Sequence, residues 1–187
     1  MRLFFIALLV LSAVACRHRP KVVEAPVTYL GSGPSDRDPK ILPTRRVFVD
    51  VENRFGTSRK IGRDVNANIP IQAEPAEVVR MVDAGFRIEL ARVGAKIATS
   101  ANEADVVLKV GLSVVNVEEG GSYSARLVAQ IEVTDAGGAT LANSTLEGAG
   151  SHQGRDYDGD EVNVALNKAL ADLIGRVFSN ESMMSKL

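Results

Sequence analysis

Apolar and polar positions alternate with two distinct periods along the chain, and each period marks its own kind of element. Val47, Val49 and Val51 alternate with Phe48 and Asp50, a first strand covered on both faces because Phe48 is also large and apolar. Arg54 to Gln72 then runs polar and irregular through Gly56, Gly62, Asn66, Asn68 and Pro70, long enough to be a functional loop. Pro75 sits where a first helical turn tolerates proline, and Val79, Val82, Phe86, Leu90 and Val93 repeat at helical spacing until Gly94, a natural stop. Ala95 to Thr99 reads as a short edge strand. The strongest period-two pattern follows: Val106, Leu108, Val110, Leu112 and Val114 on one face, a turn at Glu118 to Gly121, and Tyr123, Ala125, Leu127, Ala129, Ile131 and Val133 on the return. Asp135 to Gly138 makes a second turn and Thr140 to Gly148 a third, weaker strand. Asp160 to Phe178 offers Val162, Leu166, Leu170, Leu173, Ile174 and Val177 as a helical stripe.

These elements predict an α+β fold: an antiparallel sheet in β-α-β-β-β-β-α order, with two helices on its apolar face. The other face carries Lys109, Ser113, Arg126, Gln130 and Glu132. A single domain over residues 45–180 accounts for the pattern, with residues 181–187 as a tail.

Before position 45 the pattern is different. Arg2 followed by the apolar run Leu3 to Val14 and the small residues Ala13-Val14-Ala15 has the build of a bacterial export signal over residues 1–15, too short for a permanent span of about 20 apolar residues. Cys16, the only cysteine, stands where a lipoprotein signal peptidase would leave it as the new N-terminus. Two readings are open, because Ala13-Val14-Ala15 also satisfies ordinary secretory cleavage; the lipobox reading is favoured by a lone thiol that an oxidising compartment would otherwise punish. Arg17 is not the Asp that holds lipoproteins in the inner membrane, so the expected address is the outer membrane, facing the periplasm. Residues 16–44 read as the lipidated Cys and a tether holding five of the seven prolines, able to reach roughly 90 Å extended or about 30 Å as a coil. Arg17, His18, Arg19 and Lys21 form a basic cluster beside the lipid, solvated or touching anionic headgroups.

A formal net charge of −1 argues against nucleic acid, and one cysteine excludes an internal disulfide. The chemistry is thin. His18 and His152 are the only histidines, no G-x-S-x-G elbow occurs, and no phosphate-cradling loop is present, so no enzyme and no cofactor is expected. The run Asp156-Tyr157-Asp158-Gly159-Asp160-Glu161 fails the EF-hand template, with Gly159 and Asn167 misplaced; Asp158 or Asp160 as a helix cap is the simpler account, and no metal is expected. Glu52 and Arg54, two residues apart at a strand end, point to one side and form a pair that either fixes the Gly56 to Gly62 loop or meets a partner.

Val49-Asp50-Val51-Glu52-Asn53-Arg54 with Ile61-Gly62, the helix end Glu89 to Ile97 and Ala104-Asp105 before the meander together resemble the YajG-like lipoproteins, with Glu52 in the slot where that family carries Asp. The resemblance implies a periplasm-facing lipoprotein whose fold is akin to small envelope lipoproteins that dock on larger assemblies. The expectation is therefore a membrane-anchored, non-catalytic accessory of an envelope protein complex; the alternative is a carrier or chaperone for lipid or lipopolysaccharide. The sequence does not specify an oligomeric state.

Overall fold

The structure is a computed structural model that describes residues 21–31 and 45–187. The export signal, Cys16, the cluster at Arg17, His18 and Arg19, and the 32–44 part of the expected tether lie outside the described residues. In chain order the elements are β1 (Val23–Glu24), β2 (Arg46–Asn53), β3 (Lys60–Asp64), β4 (Pro70–Gln72), α1 (Pro75–Arg92), β5 (Lys96–Ile97), a 3-10 turn (Ala101–Glu103), β6 (Val106–Glu119), β7 (Tyr123–Asp135), β8 (Thr140–His152), α2 (Gly159–Ser179) and α3 (Glu181–Met184).

The fold is α+β, an open mixed sheet whose largest part is the antiparallel β6–β7–β8 meander, with α1 and α2 on one face. β6 is the axis. Along one side it pairs with β7, and along the other it pairs in parallel first with β2, from Val47↔Val106 to Asn53↔Leu112, and then with β3, from Gly62↔Val117 to Asp64↔Glu119. The parallel β2–β6 pairing follows from the helix between them, since neighbouring strands joined by a long crossover run the same way. β4 pairs antiparallel with β3, and β1 closes that margin in parallel to β4.

Leu108, Leu112, Leu127 and Ile131 from the sheet meet Phe86 and Leu90 of α1 and Leu166, Leu170 and Leu173 of α2, all fully buried. On α2 every expected stripe residue is buried. On α1 the stripe turns by one position, burying Val78 and Met81 and leaving Val79 half-buried. α2 lies directly on the backbone of β8: a methyl group at Gly148 would stand 2.2 Å from the Ala169 carbonyl oxygen, and one at Gly150 would stand 2.4 Å from the Ala169 nitrogen. This close approach explains why β8 carries Gly-Ala-Gly and why its apolar pattern reads weakly although it runs on to His152.

Four expectations are corrected. A β-bulge leaves Ser113 unpaired, so the core face of β6 passes from Leu112 to Val115 and Val117, and Val114 turns to the opposite face. Arg54 to Gln72 contains β3 and β4, and the core contribution of the stretch is the sparse trio Ile61, Ile69 and Ile71. The expected tether is folded from Lys21 to Gly31: Val23, Ala25 and Val27 are core residues, since β1 completes the sheet margin. The expected tail is also folded, with Met183, Met184 and Leu187 buried and Arg45 donating to the Lys186 carbonyl at 2.9 Å.

Candidate functional site

Among the described residues only one face of the sheet carries α1 and α2. On the other, α-carbons of neighbouring strands line up in rows that set polar side chains side by side, and one row is Glu52, Gly111, Gln130 and Thr145. Arg54 follows β2 and is anchored by its own amide, which donates to the Leu112 carbonyl at 2.8 Å. Its side chain folds back across that row. Nε donates to Glu52 Oε2 at 2.7 Å and Nη1 to Gln130 Oε1 at 2.7 Å, so the guanidinium lies over Gly111. A methyl group at Gly111 would fall 2.7 Å from Cζ of Arg54, which is why a glycine sits there.

Glu52 and Arg54 are thus brought together, as their spacing implies, but they span three strands and leave the following loop to others. That loop is closed by Asn53, which donates to the Gly56 carbonyl and accepts from the amides of Phe55 and Gly56. Arg59 ties its end to Glu24 at 2.8 Å and Glu74 at 2.7 Å. Both side chains of the Glu52–Arg54 pair are about half exposed, so its contribution to stability is under about 1 kcal/mol and its chief consequence is a fixed orientation.

The rest of the face continues in kind. Arg126 meets Glu147 at 2.7 Å, and that bond holds the Glu147 carboxyl below its usual range. Thr140 donates to Glu132, and Lys109 stands between Asp50 and Glu132 in the next row. Ser113 donates to the Val128 carbonyl. At the β2 end a small cluster of Phe48, Ala98, Ala104 and Val107 closes the face under the 3-10 turn, with Arg87 lying 5.4 Å from the Phe48 ring. Elsewhere no element among the described residues covers it.

His152 and Asp158, the other polar groups that the sequence singles out in the described residues, are tied into the fold. His152 shares a 2.6 Å contact with Glu161 and faces Lys168, linking β8 to α2. Asp158 caps α2 by accepting from the Asp160 amide. Among the described residues no group of three or more His, Cys, Asp or Glu is placed to hold a metal ion.

Two features escape sequence reading. Glu119 is buried at the end of β6; Oε1 accepts from the Tyr157 amide at 3.1 Å, and Oε2 has no partner among the described residues. Burial pushes its carboxyl above the usual range, against the Tyr157 bond, with Asp64 and Asp156 adding to the rise. Tyr123, whose hydroxyl donates to the Arg155 carbonyl and accepts from the Asp158 amide, is pushed up to about 12 by burial. The second feature is the clasp on residues 28–30. Asn163 and Asn167, one turn apart on α2, hold the backbone of Thr28 and Leu30 with bonds of 2.8–3.1 Å. The Tyr29 hydroxyl donates to Glu89, which also pairs with Arg92 at 2.7 Å. A surface groove of about 300 Å³ with a mixed lining runs beside this segment, lined by Val27, Thr28, Tyr29, Glu77, Arg80 and Met81.

No family model matches the sequence, and no curated protein matches it. Solved structures do. A protein of Xanthomonas campestris assigned to family DUF330 is 14% identical, with 89% of this chain and 99% of that one covered at a TM-score of 0.55. An uncharacterised protein is 11% identical over 74% of this chain and 92% of its own, at a TM-score of 0.50. A minor lipoprotein of Acinetobacter baumannii is 14% identical over 74% and 93%, at 0.47. At such identities it is the α+β fold that the first two share with this chain.

Proposed function

We propose that the mature chain is a lipoprotein of the bacterial cell envelope, acylated at Cys16, held at the outer membrane and facing the periplasm. Its domain acts by binding a protein partner and not by catalysis. The observation that carries the binding reading is the open polar face of the sheet, where Arg54, Glu52, Gln130, Arg126 and Glu147 are held in set orientations with no element among the described residues above most of them. The position of Cys16 directly after Ala13-Val14-Ala15 supports the anchor, and the resemblance to YajG-like lipoproteins agrees with it. No helix among the described residues is long and apolar enough to cross a membrane. A lipid carrier would need an apolar cavity between helices and sheet, and the side chains that would line it, Leu112, Leu127, Phe86 and Leu170 among them, are buried against one another.

The test begins with the intact mass of membrane-extracted protein beside a Cys16→Ser variant. A chain that starts at Cys16 with acyl chains, and leaves the membrane fraction in the variant, is expected; an unmodified soluble chain in both defeats the anchor. A photo-crosslinker at Gln130 is then expected to capture an envelope protein that one at Ile88, exposed on α1, does not. Equal capture at both sites removes the sheet face from the proposal.

A further inference from the structure

Lys21, the start of the described segment that carries β1, is only five residues beyond Cys16. Five residues span at most about 18 Å, whereas a tether free to position 44 would span roughly 90 Å. Where those five residues leave the domain is fixed by strand register. β1 runs parallel to β4, with Val23 beside Ile71, so Lys21 lies at the start of β4, next to the turn that joins β3 to β4. At this end β3 and β6 finish together, Asp64 beside Glu119, while β7 begins and β8 ends, Tyr123 beside His152. The 155–158 loop is bonded to the same end through Tyr123 and Glu119. The opposite end carries the β7–β8 turn at Asp135–Gly138, the start of β6 and the close of α1. β6 separates the two ends by 14 residues, roughly 45 Å.

The exposed side chains at the near end suit a lipid surface. Val65, on the β3–β4 turn, is 46% exposed and is one of few large apolar side chains on the surface. Lys21, Arg63 and Arg155 are exposed around it, and Arg17 and Arg19 lie in the connecting chain. Glu118 and Asp156 stand among them, while Asp64 and Glu119 are buried.

We propose that this end of the domain, with Val65, Arg63, Arg155 and Lys21, rests on the bilayer surface that holds the lipid of Cys16, and that the Asp135–Gly138 turn points away from it. The proposal rests on acylation of Cys16. Leu30 and Arg45 are each bonded to the domain, so the length of chain between them does not set the distance to the membrane. Covalent reach carries the geometry; the basic residues and Val65 favour contact once the end is there.

The sequence contains no tryptophan, which allows a direct distance measurement. Val65→Trp and Ala136→Trp, each exposed, mark the two ends. The lipidated variants are placed in phosphatidylethanolamine and phosphatidylglycerol vesicles containing dansyl-labelled lipid, and energy transfer from tryptophan is recorded. Transfer from Val65→Trp is expected to be at least about fivefold that from Ala136→Trp, because the tips are separated by roughly 40 Å. Equal transfer, or more from Ala136→Trp, overturns the proposal. A flexible 20-residue insertion after Pro20, worth about 25 Å of reach, is expected to lower the Val65→Trp signal, and the same insertion within residues 32–44 is expected to leave it unchanged. The reverse result also overturns the proposal, since it would mean residues 21–31 are not clasped. Failure of the unaltered chain to bind vesicles, with no acyl mass on Cys16, defeats the lipoprotein reading itself and is told apart by that mass.

Discussion

Two glycines show how much the identity of a neighbouring atom decides. At Gly148 an added methyl group meets backbone, the Ala169 carbonyl at 2.2 Å, and α2 has no way to yield without lifting off the sheet. Gly148→Ala is expected to cost about 3 kcal/mol or more in urea unfolding. At Gly111 the methyl group meets the far end of a half-exposed arginine, so Gly111→Ala is expected to cost under about 1 kcal/mol and to release Arg54 from Gln130. Glu119 gives a prediction in pH. Its folded-state pKa is raised by burial, so the folded state holds the proton more tightly than the unfolded one, and stability falls as pH rises from the ordinary glutamate value through the folded value. Glu119→Gln keeps an acceptor for Tyr157 without the charge; it is expected to exceed the wild type in urea midpoint at pH 7, with the difference shrinking as pH falls toward about 4.

Among the elements, the segment from Lys21 to Gly31 depends on others for its conformation. It has no ladder of its own beyond β1, and α2 supplies a substitute edge in the side chains of Asn163 and Asn167. Asn167→Ala leaves the Leu30 amide and the Thr28 carbonyl without these partners, and is expected to cost about 1–3 kcal/mol. Hydrogen exchange at Leu30 is the sharper check: protection there is expected to fall well below that of α2 itself, whereas a uniform loss would mean that the clasp has no local role. The bulge at Ser113 is the other element-level device. It rotates the last third of β6 so that Val115 and Val117 reach the core, at the point where β2 hands over to β3 along the same side.

For the whole molecule, the described sheet ends on a long strand. Among the described residues β8 pairs only with β7, and an edge of this length invites another chain to add to it. α2 guards part of it: Asp172 accepts from the Ala149 amide at 3.0 Å, and Lys168 donates to the Ser151 carbonyl at 2.9 Å. Replacing both Lys168 and Asp172 by alanine is expected to shift the sedimentation of the domain toward larger species at high concentration. Unchanged sedimentation would show that the remaining edge needs no such guard.

The sequence by itself determined those elements whose apolar residues repeat often enough to announce a face. The stripe of α2, the alternation on β7 and the first half of β6 are all buried as their spacing requires, and from them the α+β class and the single helix-bearing face follow. The spacing of Glu52 and Arg54 likewise placed both on one side of the sheet. Tertiary structure alone decided what depends on partners distant in sequence. β3 forms along the side of β6 that β2 leaves open and β4 adds to β3, not because Ile61, Ile69 and Ile71 form a pattern. The partnership of Arg54 with Gln130 crosses 76 positions, and the clasp of Thr28 by Asn163 crosses 135. Proline-rich composition reads as tether because composition reports local preference; Lys21 to Gly31 are ordered because two asparagines and a sheet margin supply the hydrogen bonds that the segment cannot make with itself.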